Sequence, residues 1–182
     1  MEIWLPHLEA SMLLQESWID NMEKHLSEKF YGAMKKLEPR YPNKKALILP
    51  ALHQAQEEYG WLPKEVLEEI GSYIGVHPAQ IREVASFYTM FNLKPVGKNH
   101  LKICTNVACC LRGADDLMSF AEKKLGIKCG ETTADGLFSL SEEECLGACT
   151  TAPAMMANDD YIEELDVNKL NQFIEKMKVT KT

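Results

Sequence analysis

The sequence predicts an α+β chain in two parts, a helical bundle over residues 1–95 followed by a mixed domain over residues 96–182 that carries a metal–sulfur site. Three observations predict it. Apolar residues recur at spacings of three and four through most of the first hundred positions, the period of one helix face. From His100 onward the pattern changes to alternation, as in a half-buried strand. Between Cys104 and Cys149 stand four cysteines in two pairs, Cys104 with Cys109 as C-x4-C and Cys145 with Cys149 as C-x3-C, the pairs lying 36 positions apart.

The helical part begins with a stripe of Leu14, Trp18, Met22, Leu26, Phe30, Ala33 and Leu37, which predicts one helix from about Ser11 to Leu37. Pro39 and Pro42 end it, because each removes a donor and pushes its predecessor out of helical geometry. Asn43 is a candidate cap for a second helix with Ala46, Leu49, Leu52 and Ala55 inward, Pro50 as a kink and Gly60 as its stop. Pro63 suits the first turn of a third helix, with Val66, Leu67 and Ile70 inward and Gly75 at its end. Pro78 repeats the device for a fourth, with Ile81, Val84 and Ala85 inward, leading into Phe87-Tyr88-Thr89-Met90-Phe91. Phe87 and Tyr88 are expected to pack where the bundle meets the second domain. The first helix either completes the bundle or lies across another protein.

Turn residues from Pro95 to Asn99 mark the domain boundary. His100 to Cys104 reads as a strand, with Cys109 in the loop before a helix from about Gly113 to Leu125. Asp135-Gly136 predicts a hairpin turn between Glu131–Thr133 and Leu137–Leu140. After the second cysteine pair come Ala154–Ala157, a turn at Asn158-Asp159-Asp160, a strand at Tyr161–Glu163 and a closing helix from about Asp166 to Met177. Strand, helix, hairpin, hairpin, helix is a thioredoxin-like order.

Four thiolates are what a 2Fe-2S cluster needs, two for each iron. Four cysteines also suit a structural zinc ion, although such sites usually space at least one pair as C-x2-C and neither pair here does. All six cysteines follow residue 103, which favours thiolates kept for ligation over a disulfide framework. A helix N-terminus beside Cys109 offers N–H groups and a positive dipole end to an anionic cluster. Asp115, Asp116 and the Glu142–Glu144 run oppose an added electron. Gly147 and Ala148 are candidate N–H donors to sulfur.

Composition excludes several classes. The formal net charge is -7, divided as -2 over residues 1–98 and -5 over 99–182, the wrong sign for a nucleic-acid partner. No window approaches the roughly 18–20 apolar residues needed to cross a bilayer. Glu2, Glu9, Glu16 and Asp20 interrupt any signal core, so the chain is expected in a reducing cytoplasm, without membrane insertion.

The paired cysteines, the string Glu144-Cys-Leu-Gly-Ala-Cys149 with Ala152-Pro153 after it, the run Val84–Phe91 and Gly60-Trp61-Leu62 resemble the thioredoxin-like 2Fe-2S subunits of respiratory complex I, over roughly residues 40–178. The resemblance implies that Cys104, Cys109, Cys145 and Cys149 ligate one 2Fe-2S cluster. It also implies docking on a flavin-bearing NADH-oxidising subunit, which would bind FMN and NADH itself. The cluster would exchange single electrons with that flavin, lying beside the main chain of clusters, in the peripheral arm of a membrane-bound complex. The same subunit type occurs in NAD-dependent bifurcating hydrogenases and formate dehydrogenases, the alternative assembly. A four-cysteine zinc module is the remote alternative.

No residue need act as acid, base or nucleophile, so the chain is expected to carry electrons as part of an oxidoreductase without turnover alone. Cys110, next to a ligand in sequence, is expected to point away from the cluster, and Cys129 to pack as a small hydrophobe. A thioredoxin-type redox role needs C-x-x-C, which is absent. Of Met155 and Met156, at least one is expected in the core.

Overall fold

The structure is a computed structural model and describes residues 25–179. Leu14, Trp18 and Met22 of the expected first helix lie outside the described residues. The chain divides into two compact units between Pro95 and Val96.

In the first unit, helix α1 spans Glu28–Leu37, and the single long helix expected from Ser11 does not run through residues 25–27. Ser27 is the reason. Its backbone is extended and its hydroxyl accepts the Phe30 N–H, so it caps a new helix start. The approach to the cap is tied down by carboxylates from two other helices. Glu58 takes the N–H and the hydroxyl of Ser27 at 3.0 and 2.8 Å. The buried Glu69 takes the N–H groups of His25 and Leu26 at 2.7 and 3.1 Å, together with the Tyr31 hydroxyl.

The second helix differs from expectation in phase. Asn43 does cap, its side chain accepting the Ala46 N–H at 3.2 Å, but it opens a 3-10 turn over Lys44–Leu47, and α2 starts only at Ile48 and runs to Tyr59. A 3-10 turn advances each residue further around the axis than an α-helix does. Leu47 is therefore buried and Ala46 exposed, the reverse of the α-helical extrapolation. Pro50 falls in the first turn of α2, where proline is tolerated, rather than in its middle. Helix α3 (Lys64–Ile74) and helix α4 (Pro78–Phe87) bury Val66, Leu67 and Ile70, and Ile81 and Ala85. These meet Phe30, Met34, Leu47, Leu52 and Ala55 in one core. Full burial of each large apolar side chain there contributes about 1.5–3 kcal/mol. Tyr88 is half buried against this core, but Phe87 is 77% exposed. Helix α4 ends at Phe87, whose ring lies outside the core of this unit.

The second unit is a four-stranded sheet in the order β2-β1-β3-β4, made of β1 (Asn99–Cys104), β2 (Phe138–Glu143), β3 (Met155–Ala157) and β4 (Asp160–Ile162). β1 and β2 are parallel, so a tight turn cannot join them. The connection runs through a one-turn helix α5 (Val107–Cys110) and helix α6 (Ala114–Leu125). β3 pairs antiparallel with both β1 and β4. The closing helix α7 spans Val167–Val179. Leu101 and Ile103 of β1, Phe138 and Leu140 of β2, and Met155 pack with Leu117 and Ala121 of α6 and Leu170 and Ile174 of α7. Met155 is thus the core methionine of its pair. The expected Glu131–Leu140 hairpin forms along the edge of β2 that faces away from β1: the Thr133 N–H donates to Phe138 O at 2.8 Å and the Leu140 N–H to Glu131 O at 3.1 Å, around an antiparallel bridge between Thr132 and Ser139.

His100 lies on the opposite face of β1, its Nε2 sharing a 2.8 Å hydrogen bond with Ser141 Oγ. Burial, reinforced by the Lys102 charge, lowers its pKa to about 4. An unfolded histidine titrates near 6.5, so the unfolded chain takes up this proton first. Above about pH 6.5 both states are neutral and stability is unaffected. It falls as pH drops from about 6.5 towards 4. An NMR titration of the His100 ring is expected to show it neutral at pH 5, and a midpoint near 6.5 would contradict this burial.

Candidate metal–sulfur centre

The four paired cysteines meet at the C-terminal end of β1. Cys104 is the last residue of that central strand, and hydrogen bonds fix the backbone there on both sides. Its N–H donates to Ala154 O at 3.1 Å, and the next N–H, of Thr105, donates to Glu143 O at 3.0 Å. The segment carrying Cys145 and Cys149 leaves the sheet at Glu143 and returns at Ala154, so both its feet stand on the strand end that carries Cys104. Local signals shape the first loop. Asn106 caps α5 through a 2.9 Å bond from the Val107 N–H, placing Cys109 within one helical turn in the connection expected as a loop before α6. Gly113, at φ 94°, separates this turn from α6. Cys149 opens a 3-10 turn over Cys149–Thr151.

Cys104 and Cys109 are 3% and 2% exposed and form one buried cluster with Ala114, the first residue of α6, and Ala152. Cys145 and Cys149 are exposed. The thiols influence one another in pairs: Cys104 lies beside Cys109 and Cys145, and Cys109 feels the charge of Cys149. Among the described residues, no group of three or more His, Cys, Asp or Glu side chains is gathered as for one metal ion.

N–H groups lie beside the sulfur atoms of Cys104, Cys109 and Cys145. The Gly147 N–H, expected in this role, donates to Cys145 Sγ at 3.3 Å. The Ala148 carbonyl accepts from the N–H and the hydroxyl of Thr151 at 3.2 and 3.3 Å. The N–H groups of Asn106 and Leu146 face Cys104, and that of Ala154 faces Cys109. Burial pushes the Cys104 thiol up, but the two N–H donors with Cys109 and Cys145 outweigh it, and its pKa falls. For Cys109 burial prevails and the pKa rises, because the Cys104 thiol and the charges of Cys104 and Cys149 add to it. Sulfur that accepts N–H bonds is stabilised as thiolate, the form that binds metal.

Asn106 could have been found in the sequence. It stands two residues after Cys104 as Gly147 does after Cys145, although the backbone differs, Asn106 being extended at φ -76° and Gly147 left-handed at φ 72°. Leu146 and Ala154 are more than 40 positions from the sulfurs they face, and no local pattern announces them. Cys110 points to the backbone: its thiol donates to Thr105 O at 3.0 Å and approaches the Asp115 carboxylate at 3.6 Å. Cys129 is exposed, correcting the expectation that it packs as a small hydrophobe, because its backbone N–H is drawn onto Glu122 at the surface. The glutamate run is not wholly solvated either. Glu143 pairs with Lys102 at 3.5 Å, both side chains nearly buried.

The donor set fits a cluster of two irons and two sulfides, with four thiols on two loops of one strand end, N–H groups aimed at sulfur and an alanine-lined wall. Cys104, Cys109, Cys145 and Cys149 are the residues that would hold it.

Comparison with known proteins agrees with that fit. The family described as thioredoxin-like [2Fe-2S] ferredoxin matches residues 34–178. An NADH-quinone oxidoreductase subunit of Rickettsia conorii is 49% identical over 141 residues, covering 76% of this chain and 84% of the relative. A second NADH-quinone oxidoreductase subunit, from Rhizobium meliloti, is 47% identical over 139 residues, covering 76% and 83%. Among solved structures, an NAD+-reducing [NiFe]-hydrogenase in the air-oxidized state superposes with a TM-score of 0.66 at 27% identity. That match covers 74% of this chain but 23% of the much longer hydrogenase chain. With the match spanning most of its length and both cysteine pairs inside it, the chain belongs to the thioredoxin-like [2Fe-2S] ferredoxin family.

Proposed function

We propose that Cys104, Cys109, Cys145 and Cys149 hold one 2Fe-2S cluster, which exchanges single electrons with the flavin of an NADH-oxidising partner subunit in an assembly of the NADH-quinone oxidoreductase kind. The observation that carries it is the convergence of both cysteine pairs on the end of β1, with backbone N–H groups directed at their sulfurs. When bound, such a cluster supplies one reversible one-electron oxidation and reduction at thiolate-held iron. The chain's own residues do the rest. Cys104 and Cys109 supply the protected side of the site, and the exposed Cys145 and Cys149 leave its other side open towards a partner. N–H groups from Asn106, Leu146, Gly147 and Ala154 stabilise negative charge on sulfur, which favours the reduced state. Glu142 and Glu144, exposed beside the second pair, oppose it.

FMN and NADH belong, on this reading, to the partner. Relatives named as NADH-quinone oxidoreductase subunits support that kind of assembly, with this chain in its peripheral arm on the cytoplasmic side. Among the described residues no helix is long and apolar enough to cross a membrane. The hydrogenase likeness supports a second reading, the equivalent subunit of an NAD-linked hydrogenase; co-purification with quinone-reducing or with hydrogenase subunits separates the two.

Purified anaerobically and reduced with dithionite, the protein is expected to contain about two irons per chain and to give an S = 1/2 resonance. A colourless zinc protein would overturn the reading. NADH is expected to reduce the chain only in the presence of the flavoprotein partner, so reduction by NADH alone would place a nucleotide site on this chain.

A further inference from the structure

Main-chain hydrogen bonds hold the two feet of the second cysteine loop, but inside those feet two side chains from the first loop reach across to it. Asn106 Nδ2 donates to Glu144 O at 2.8 Å, one residue before Cys145. Arg112 Nη1 donates to Ala152 O at 2.9 Å, three residues after Cys149. Both donors come from the short stretch that carries Cys109, and both acceptors are carbonyls bracketing the second pair. The segment between those carbonyls contains Gly147 at φ 72°, and Cys145 and Cys149 within it are exposed. The main-chain bonds from the Glu164 N–H to Thr151 O at 2.7 Å and from the Leu165 N–H to Pro153 O at 2.8 Å tie this segment to the stretch before α7, whereas the two crossing bonds tie it to the loop that carries Cys109.

We infer that Asn106 and Arg112 are positioning residues, a two-point brace that sets the separation of the two cysteine pairs and so the grip on the cluster. The inference rests on the proposed ligand set. Neither residue touches sulfur through its side chain. Each acts by holding a carbonyl next to a ligand-bearing turn, so removing either should leave four thiols present but less well gathered. Arg112 also places a positive charge beside Ala152, a wall of the site, which favours an added electron.

Three readouts on the full chain test this in the N106A, R112Q and R112K variants. In the metal-free protein, amide hydrogen exchange across residues 145–151 is expected to quicken about tenfold in N106A and R112Q. In the loaded protein, loss of iron to a chelator is expected to quicken by roughly 10-fold or more, the scale of outer-shell effects on metal affinity. The g-values of the reduced cluster are expected to shift as well. R112K, which keeps one donor and the charge, is expected to lie near the wild type. Exchange and iron loss within twofold of wild type, with unchanged g-values, in both N106A and R112Q would overturn the brace, as would R112K behaving like R112Q. Should R112Q fail to fold, N106A and R112K carry the same comparison. A wild-type chain that never acquires iron would instead end the ligand assignment, and the exchange measurement alone would then decide the brace.

Discussion

Replacing Cys145 by serine is expected to bleach the visible chromophore and strip most of the iron, while Cys129→Ser leaves the spectrum nearly unchanged. Cys145 lies beside Cys104 and receives the Gly147 N–H at 3.3 Å. Serine keeps the size of the side chain but presents a hydroxyl that does not ionise near neutral pH, and the thiolate is the group that binds iron. The fall in retained iron should be at least as large as the roughly 10- to 100-fold cost of removing an outer-shell partner, because here a ligand itself is lost. Cys129 is exposed, with its N–H on Glu122, and joins none of the thiol contacts at the centre. Iron analysis and absorbance of the two variants, purified anaerobically side by side, make the comparison. Equal loss in both would refute the ligand assignment.

Gly97→Ala is expected to destabilise the second unit by about 2–3 kcal/mol, a fall of roughly 10 °C or more in its melting temperature. A Cβ at Gly97 would lie 2.7, 2.9 and 3.0 Å from the backbone C, N and Cα of Phe138, the first residue of β2. These are main-chain atoms inside a paired strand, so they cannot swing aside as the end of a flexible side chain can. The Gly97 N–H also donates to Ser139 Oγ at 2.7 Å, a bond that any retreat would stretch. Gly32 is the contrast. It lies within α1 with open space where its Cβ would be, so Gly32→Ala should raise helix propensity and stabilise by up to about 1 kcal/mol. Thermal unfolding of both variants tests the pair, and an unchanged transition in Gly97→Ala would show that β2 lies further away.

Legibility in the sequence differs from element to element. Helices α3 and α4 are readable because their apolar stripe, their prolines and Gly75 are local signals that agree with one another. The long first helix breaks at Ser27, where a cap that also binds Glu58 outweighs the periodicity of Leu26 and Phe30. The second helix slips in phase because Asn43 caps a 3-10 turn, which a 3.6-residue period does not describe. Phe87 has the chemistry of a core residue and stands exposed, since burial depends on what arrives opposite a residue as well as on the residue itself.

What the sequence determined unaided is the chemistry of the centre. Two cysteine pairs with distinctive spacing carry their identity in the covalent chain, and the turn that sends the Gly147 N–H onto Cys145 spans two residues. What only the tertiary structure decided is the surroundings of those sulfurs. Leu146 and Ala154 face them across more than 40 positions, Asn106 and Arg112 reach the carbonyls of Glu144 and Ala152, and Gly97 lies against the backbone of Phe138. The physical reason is one of range. A turn or a cap is stabilised by neighbours a few residues away and leaves its mark in local composition, whereas a hydrogen bond between distant loops exists only after β1 has brought β2 and β3 to its two sides.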